Sequence, residues 1–309
     1  MKLVLGGFGF LGSCITRALN DNTITNRVLD VFSGSALADR KVINDIIIGD
    51  VNDKYVLHKT LEGVDTVLYF ISQSYPSMNH PSLQYEIEHS LRTLDITLSA
   101  MHDMNVSNII FPSSGGTVYG EIAKDFVAED YLLNPLSSYG AGKLLCEEII
   151  KYYCRIYGIN ATILRISNVY GCPFLRKVQQ GAVDIFIQKA MSGNAIELWG
   201  DPSTIIRDYL YIDDFCDAVI SLLNHDVNGA EIFNIASGVG HSLQDVINCI
   251  ESNLNISIQK IYKPTGYSGI KRNTLSIDKI NKHTGWIPGF SLEEGIKQII
   301  KTKMEQLKV

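Results

Sequence analysis

Apolar positions along the chain alternate between two rhythms. Short runs at 2–5, 27–31, 46–48, 66–71, 108–111 and 161–166 are apolar at every residue or every second residue, which predicts strands. Over 11–20, 82–104 and 138–157 apolar residues recur at three- and four-residue spacing, which predicts helices. Strand and helix in alternation imply a parallel sheet covered on both faces. Right-handed crossovers make that sheet doubly wound, of Rossmann type. Beyond about residue 167 the rhythm loosens. Helices are predicted at 182–192, 213–224, 243–253 and 292–306, separated by short strands and polar loops such as GYSGIKRNT. The expected fold is α/β: a doubly wound domain over 1–166 and a smaller C-terminal α/β region over 167–309, interleaved with the first.

Composition narrows the class. With 309 residues, 46% hydrophobic and 19% charged, the chain reads as an ordinary globular protein with a substantial core. A net charge of −6 argues against a general nucleic-acid or membrane-surface binder, which needs a positive field. The six cysteines form no C-x-x-C pair and no zinc spacing, so they read as buried free thiols in a reducing compartment, with no metal. No apolar run is long enough to span a bilayer. The glycine-rich start, MKLVLGGFGFLGS, fits a strand–turn–helix better than a signal peptide, and a cytoplasmic location is expected.

That start also carries chemistry. Gly6, Gly9 and Gly12 fall between a strand and a helix. The first permits a tight turn, the second lets a pyrophosphate approach the helix N-terminus, and the third lets the helix lie close. The spacing is G-x-x-G-x-x-G, a weak signal alone but in the context such a loop requires. Phe10 and Leu11 open the helix beside it. Asp30 closes the second strand, 18 residues after Gly12, where a carboxylate accepts from adenosine ribose hydroxyls and repels a 2′-phosphate. This favours NAD over NADP. Asp50, followed by Val51, is placed at the adenine edge.

A second constellation lies in SSYGAGK. Tyr139 and Lys143 stand at i and i+4, on one helix face. The lysine is expected to lower the phenol pKa, so that the tyrosine exchanges a proton with a sugar hydroxyl while hydride moves. Upstream, FPSSGGTVYG concentrates hydroxyls and glycines at a strand end, with Ser113, Ser114 and Thr117 as candidates.

In GGFGFLG, SSGGTVYG, SSYGAGK, LRISNVYG, IIRDYLYIDD, FNIASGVGHS and TGWIPGFSLEEGI, taken in order, the chain resembles the extended short-chain dehydrogenase/reductase family. It is most similar to the nucleotide-sugar epimerase/dehydratase branch, with the UDP-glucose (UDP-galactose) 4-epimerase pattern nearest. The resemblance implies that Tyr139 is the base and Lys143 its partner on the nicotinamide ribose, with Ser113 in the cofactor site. It implies Asn168 and Arg207 on the substrate diphosphate, with Ser74, Arg272 and Asn273 completing the substrate side. The family's Ser or Thr four residues before the V-Y-G tyrosine is Gly115 here, so Ser114 and Thr117 jointly are expected to replace it. The dehydratases' glutamate, two residues before that tyrosine, is Thr117, which argues against water elimination. Asparagine at 273 is smaller than the tyrosine of strictly plain-sugar epimerases, which leaves room for an N-acetyl group. Ser90 stands where the family usually has asparagine. The expected activity is a UDP-hexose or UDP-N-acetylhexosamine 4-epimerase with tightly held NAD, serving polysaccharide or galactose metabolism. The alternatives are a 4-keto-6-deoxy nucleotide-sugar reductase and a silent NAD-binding scaffold. The helices at 82–104 and 138–157 are expected to form a homodimer interface, through residues such as Leu91, Leu94, Leu98, Leu145 and Ile149.

Overall fold

The computed structural model describes residues 1–31, 45–76, 82–173, 181–263 and 269–306. Its centre is a seven-stranded parallel sheet formed by β1 (Lys2–Leu5), β2 (Asn26–Asp30), β3 (Ile46–Ile48), β4 (Thr66–Tyr69), β5 (Asn108–Ser114), β6 (Asn160–Ile166) and β10 (Ala230–Ile235). The spatial order is β10-β6-β5-β4-β1-β2-β3. From β3 to β6 this is the doubly wound order 3-2-1-4-5-6, which reverses direction between β1 and β4. Period-2 alternation sends side chains into two cores. Val4, Val28 and Leu68 enter one, while Leu3, Leu5, Leu29 and Val67 enter the other. Both faces are therefore dry, as a fully covered parallel sheet requires.

Helices α1 (Phe10–Asp21), α2 (Lys54–Leu61), α3 (Leu83–Glu86), α4 (Arg92–Asp103) and α5 (Ser138–Tyr157) flank this sheet. Periodicity misses α2 because its start, DVND, reads as a turn. Asp53 supplies the cap by accepting from the N–H groups of Tyr55 and Val56 at 2.9 and 3.2 Å. The single helix expected over 82–104 is interrupted by a π-helical stretch, Ile87–Leu91. One widened turn of this kind breaks the regular ladder. Here the Ser90 hydroxyl donates to Glu86 Oε2 at 2.8 Å across it.

The later chain forms β7 (Asn168–Tyr170), β8 (Ile196–Trp199), β9 (Ile206–Tyr211), β11 (Gly240–Ser242), β12 (Lys260–Lys263) and β13 (Arg272–Asn273). Strand β9 is the hub: β7 and β13 pair with it in parallel and β11 antiparallel. Helices α6 (Ala182–Met191), α7 (Ile212–Leu223), α8 (Leu243–Leu254), α9 (Asp278–Thr284) and α10 (Leu292–Gln306) pack around it. Strand β10, from this later part, extends the central sheet beside β6. All six cysteines are free thiols; five are buried and Cys249 is half-buried.

Candidate active site

Open α/β sheets bind ligands beyond the carboxyl ends of their strands, where the order reverses. The glycine loop lies there, between β1 and α1. Gly6 has φ +76°, and a Cβ on it would stand 2.9 Å from the carbonyl of Phe70 at the end of β4. A Cβ on Gly12 would stand 2.1 Å from the Gly6 carbonyl oxygen, so helix and turn touch backbone to backbone. Gly9 caps α1 without a side chain, and its N–H donates to Gly6 O at 3.1 Å. No acidic residue stands in the first turn of α1, so the N–H groups of Phe10, Leu11 and Gly12 retain their pull on an anion. Asp30 ties the loop down from β2, accepting from Phe8 N at 2.9 Å. An uncapped helix start behind a backbone cradle, with a carboxylate at the next strand end, fits the pyrophosphate and ribose of a dinucleotide. Asp50 is exposed and accepts from the backbone and side chain of Asn52, while Val51 is buried.

Helix α5 begins where Ser137 accepts from Gly140 N at 3.1 Å, and it presents Tyr139 and Lys143 one turn apart. The Ser114 hydroxyl, at the end of β5, lies beside the Tyr139 phenol and favours its ionised form. Lys143 is buried, and its Nζ donates to Pro112 O at 2.9 Å, 5.7 Å from the Tyr139 ring centroid. The expectation that Lys143 lowers the phenol pKa needs correction. Burial raises the phenol, the charge of Glu86 adds to that, and the neighbouring Ser114 hydroxyl only partly opposes them. Burial also lowers Lys143, against the anionic support of Cys146, Glu86 and Glu147. In this state Tyr139 holds its proton, and further positive charge is needed to make it a base.

The loop after β5 divides its hydroxyls. Ser114 reaches Tyr139, whereas Thr117 Oγ1 is enclosed without a hydrogen-bond partner among the described residues. Position 115 has no room for a side chain. A Cβ there would lie 2.5 Å from Leu275 Cδ1 and 2.9 Å from Arg165 O. Ser113, expected at the cofactor, instead donates to Glu147 Oε1 at 2.5 Å. Glu147 is fully buried and paired with Arg165 through bonds of 2.8 and 3.1 Å. Arg165 also donates to the Tyr119 hydroxyl at 3.1 Å, and Tyr119 donates to Asn234 Oδ1 at 2.7 Å. The tyrosine of the V-Y-G motif thus belongs to a buried network under the site. Nothing in the strand pattern revealed Glu147 and Arg165, since 18 residues separate them.

On the other side, Asn168 and Arg207 line one cavity of about 210 Å³. Tyr170, Tyr209, Leu243 and the start of α6 complete it. Tyr170 and Tyr209 escaped the sequence reading because their positions on β7 and β9 look like core. The Arg207 guanidinium donates to the carbonyls of Ile206 (2.7 Å), Lys271 (3.2 Å) and Ile270. Neighbouring Asp208 is buried and accepts from Ser237 N, Ser237 Oγ and Gly238 N at 2.8–3.0 Å. Three other expected substrate residues do not join this cavity. Asn273 is buried and its amide donates to Gly115 O at 3.0 Å. Its size therefore does not measure room for an N-acetyl group; it holds the loop, because a buried amide needs a partner. Arg272 pairs with Asp125 at 2.5 Å, and Ser74 donates to Glu86 Oε2 at 3.0 Å.

Comparison with known proteins places this geometry. Residues 2–236 match the model of the NAD dependent epimerase/dehydratase family. A Methanocaldococcus jannaschii protein provisionally named UDP-glucose 4-epimerase is 33% identical over 303 residues, covering 97% of each chain. A dTDP-4-dehydro-6-deoxyglucose reductase of Escherichia coli is 28% identical over 77% of this chain and 75% of its own. The crystal structure of UDP-glucose 4-epimerase from Thermotoga maritima with UDP-glucose superposes with a TM-score of 0.85, at 26% identity over 99% of both chains.

Proposed function

Because the chain belongs to the NAD-dependent epimerase/dehydratase family, we propose that it is a nucleotide-sugar 4-epimerase acting on UDP-hexoses or UDP-N-acetylhexosamines. The observation that carries this reading is the triplet Tyr139, Lys143 and Ser114, gathered at the carboxyl end of β5, the same end of the parallel sheet as the glycine loop after β1. NAD, which the glycine loop and Asp30 would hold, would supply a reversible hydride acceptor for C4 of the sugar. The protein's own residues do the rest. Tyr139 Oη accepts the O4 proton and gives it back. Ser114 bonds the phenol and is the hydroxyl that meets O4. The Lys143 ammonium supplies positive charge that favours ionisation of the buried phenol, and the cofactor's ring would add to it. Asn168 and Arg207 hold the diphosphate while the sugar turns between hydride transfers, and the planar guanidinium suits that anion.

The Escherichia coli relative gives a specific reason to weigh a second reading, reduction of a 4-keto-6-deoxy nucleotide sugar. That reaction uses the same Tyr/Lys pair and releases its cofactor each turnover, whereas an epimerase keeps it. The assembly is proposed to be a homodimer through α5. Its outer face leaves Leu145, Tyr152, Ile156 and Tyr157 exposed, while Leu94 and Leu98 of α4 are fully buried in the core and do not contribute. Among the described residues no helix is long and apolar enough to cross a membrane, and a cytoplasmic site is proposed.

Proton NMR of purified protein with UDP-galactose, then UDP-GalNAc, without added cofactor, tests the reading. Appearance of the 4-epimer, reduced about 10²–10⁴-fold by Tyr139→Phe, supports it. No epimer from protein that retains NAD sinks it and favours the reductase.

A further inference from the structure

Glu86 belongs to no motif that led to the site, yet it is packed against it. It closes α3 and is 2% exposed. Its Oε2 accepts from Ser74 (3.0 Å) and Ser90 (2.8 Å), and its Oε1 is enclosed without a hydrogen-bond partner among the described residues. Its stem presses on α5 between Tyr139 and Lys143: a Cβ on Gly142 would stand 2.8 Å from Glu86 Cβ and 3.1 Å from Oε2. The Ser74 and Ser90 hydroxyls hold the carboxyl there. Two buried acids stand near Lys143. Glu147 already faces Arg165, but Glu86 has no cation paired directly with it among the described residues. A buried ammonium and a buried carboxylate each cost several kcal/mol alone, and each offsets the other.

We propose that Glu86 is a positioning residue of the Tyr139–Lys143 pair, its carboxyl setting how readily Tyr139 exchanges its proton. The proposal rests on the proton-transfer role of Tyr139 given above. Among the described residues the titratable groups near Glu86 are few. On α5 they are Tyr139, Lys143 and Cys146, with Glu147 a turn further on and neutralised by Arg165. On the π-helical stretch stands His89, its ring tilted against that of Tyr85 with the centroids 4.2 Å apart. The remaining contacts on Glu86, Ser74 and Ser90, do not titrate. With Glu86 negative, phenolate is disfavoured and the ammonium favoured, so Tyr139 holds its proton more tightly and is a stronger base once ionised.

The test is ultraviolet titration of the Tyr139 phenolate in NAD-loaded protein, taken as the difference from Tyr139→Phe. Glu86→Gln keeps the shape and removes the charge. Its phenolate midpoint is expected about one pH unit below wild type, with Glu86→Asp staying near wild type. The acid limb of kcat/KM for UDP-galactose epimerisation should move the same way, with KM changed less than about two-fold. An unmoved midpoint in Glu86→Gln, or an equal shift in Glu86→Asp, overturns the proposal, since a purely structural residue alters melting in both variants and the midpoint in neither. The titration needs no sugar, so it decides the point even where no epimerisation is seen. Should Glu86→Gln not fold, ¹³C NMR of glutamate-labelled protein decides. The carboxyl resonance lost in Glu86→Asp must show a carboxylate shift at pH 7, and a carboxylic-acid shift overturns the proposal.

Discussion

The two sides of the cleft are built from different material. The cofactor side is made of backbone: Gly6 against Phe70, Gly12 against Gly6, and a helix start that no side chain caps. The proposed substrate side is made of side chains: Asn168 and Arg207 line a cavity, while Arg272, Asn273 and Ser74 are taken up elsewhere by Asp125, Gly115 and Glu86. Backbone recognition leaves no freedom in residue type, because only glycine fits. Side-chain recognition depends on which partner each polar group finds after folding.

The sharpest way to break this contrast is Gly12→Ala. One methyl group 2.1 Å from a carbonyl oxygen cannot be absorbed by a flexible side chain. A loss of about 3 kcal/mol or more is expected, together with loss of NAD retention, read by thermal melting and by cofactor released on denaturation. Normal stability with full NAD content would show that the backbone description is wrong.

Arg207→Ala probes the opposite side. Removing a charged donor to a diphosphate costs about 1.5–3 kcal/mol, so KM for the UDP-sugar should rise about 10- to 100-fold. NAD content should stay at the wild-type level, and an equal loss of both ligands would erase the distinction between the two faces.

Gly115→Ser tests the border between them. It restores the hydroxyl of the familiar epimerase pattern, so a reading from motif alone expects a gain. The structure predicts the reverse: the new Cβ meets Leu275 at 2.5 Å and the Arg165 carbonyl at 2.9 Å, costing about 1–3 kcal/mol without raising kcat. Gly116→Ala, whose nearest neighbour is Asn168 Oδ1 at 3.3 Å, should cost less.

These cases also show what was readable in the chain. The alternation of strand and helix, the glycine loop and the Tyr139–Lys143 spacing follow from local rules of period and turn geometry, and the structure has them at the expected places. What escaped depends on contacts distant in sequence. Asn273 finds Gly115 across 158 residues, and Glu147 finds Arg165 across 18. The π-helical turn that brings Ser90 onto Glu86 leaves the helical apolar rhythm nearly intact, so 82–104 reads as one helix. The V-Y-G tyrosine looks like part of a site and turns out to brace one.

The contrast extends to pH. In the cofactor half Asp65 is half-exposed; slight burial opposes ionisation, but Lys2, the N-terminus and Thr66 prevail and lower it to about 2. In the substrate half Asp184 lies under the start of α6 and accepts from Gly171 N at 3.1 Å; burial outweighs that bond and pushes it up to about 6. The signs are opposite. Asp65 binds protons less well folded than unfolded, so its contribution is present above about pH 4 and is lost as pH falls towards 2. Asp184 binds a proton better when folded, so its contribution is full below about pH 4 and is lost as pH rises through 6. The stability difference between wild type and Asp184→Asn should therefore shrink by about 1–3 kcal/mol from pH 4 to pH 7. The same difference for Asp65→Asn should stay flat across that range. Melting temperatures of the three proteins at half-unit pH intervals measure both slopes. Parallel curves for wild type and Asp184→Asn would mean that the carboxyl beneath the substrate cavity is as well solvated as the one at the far end of β4.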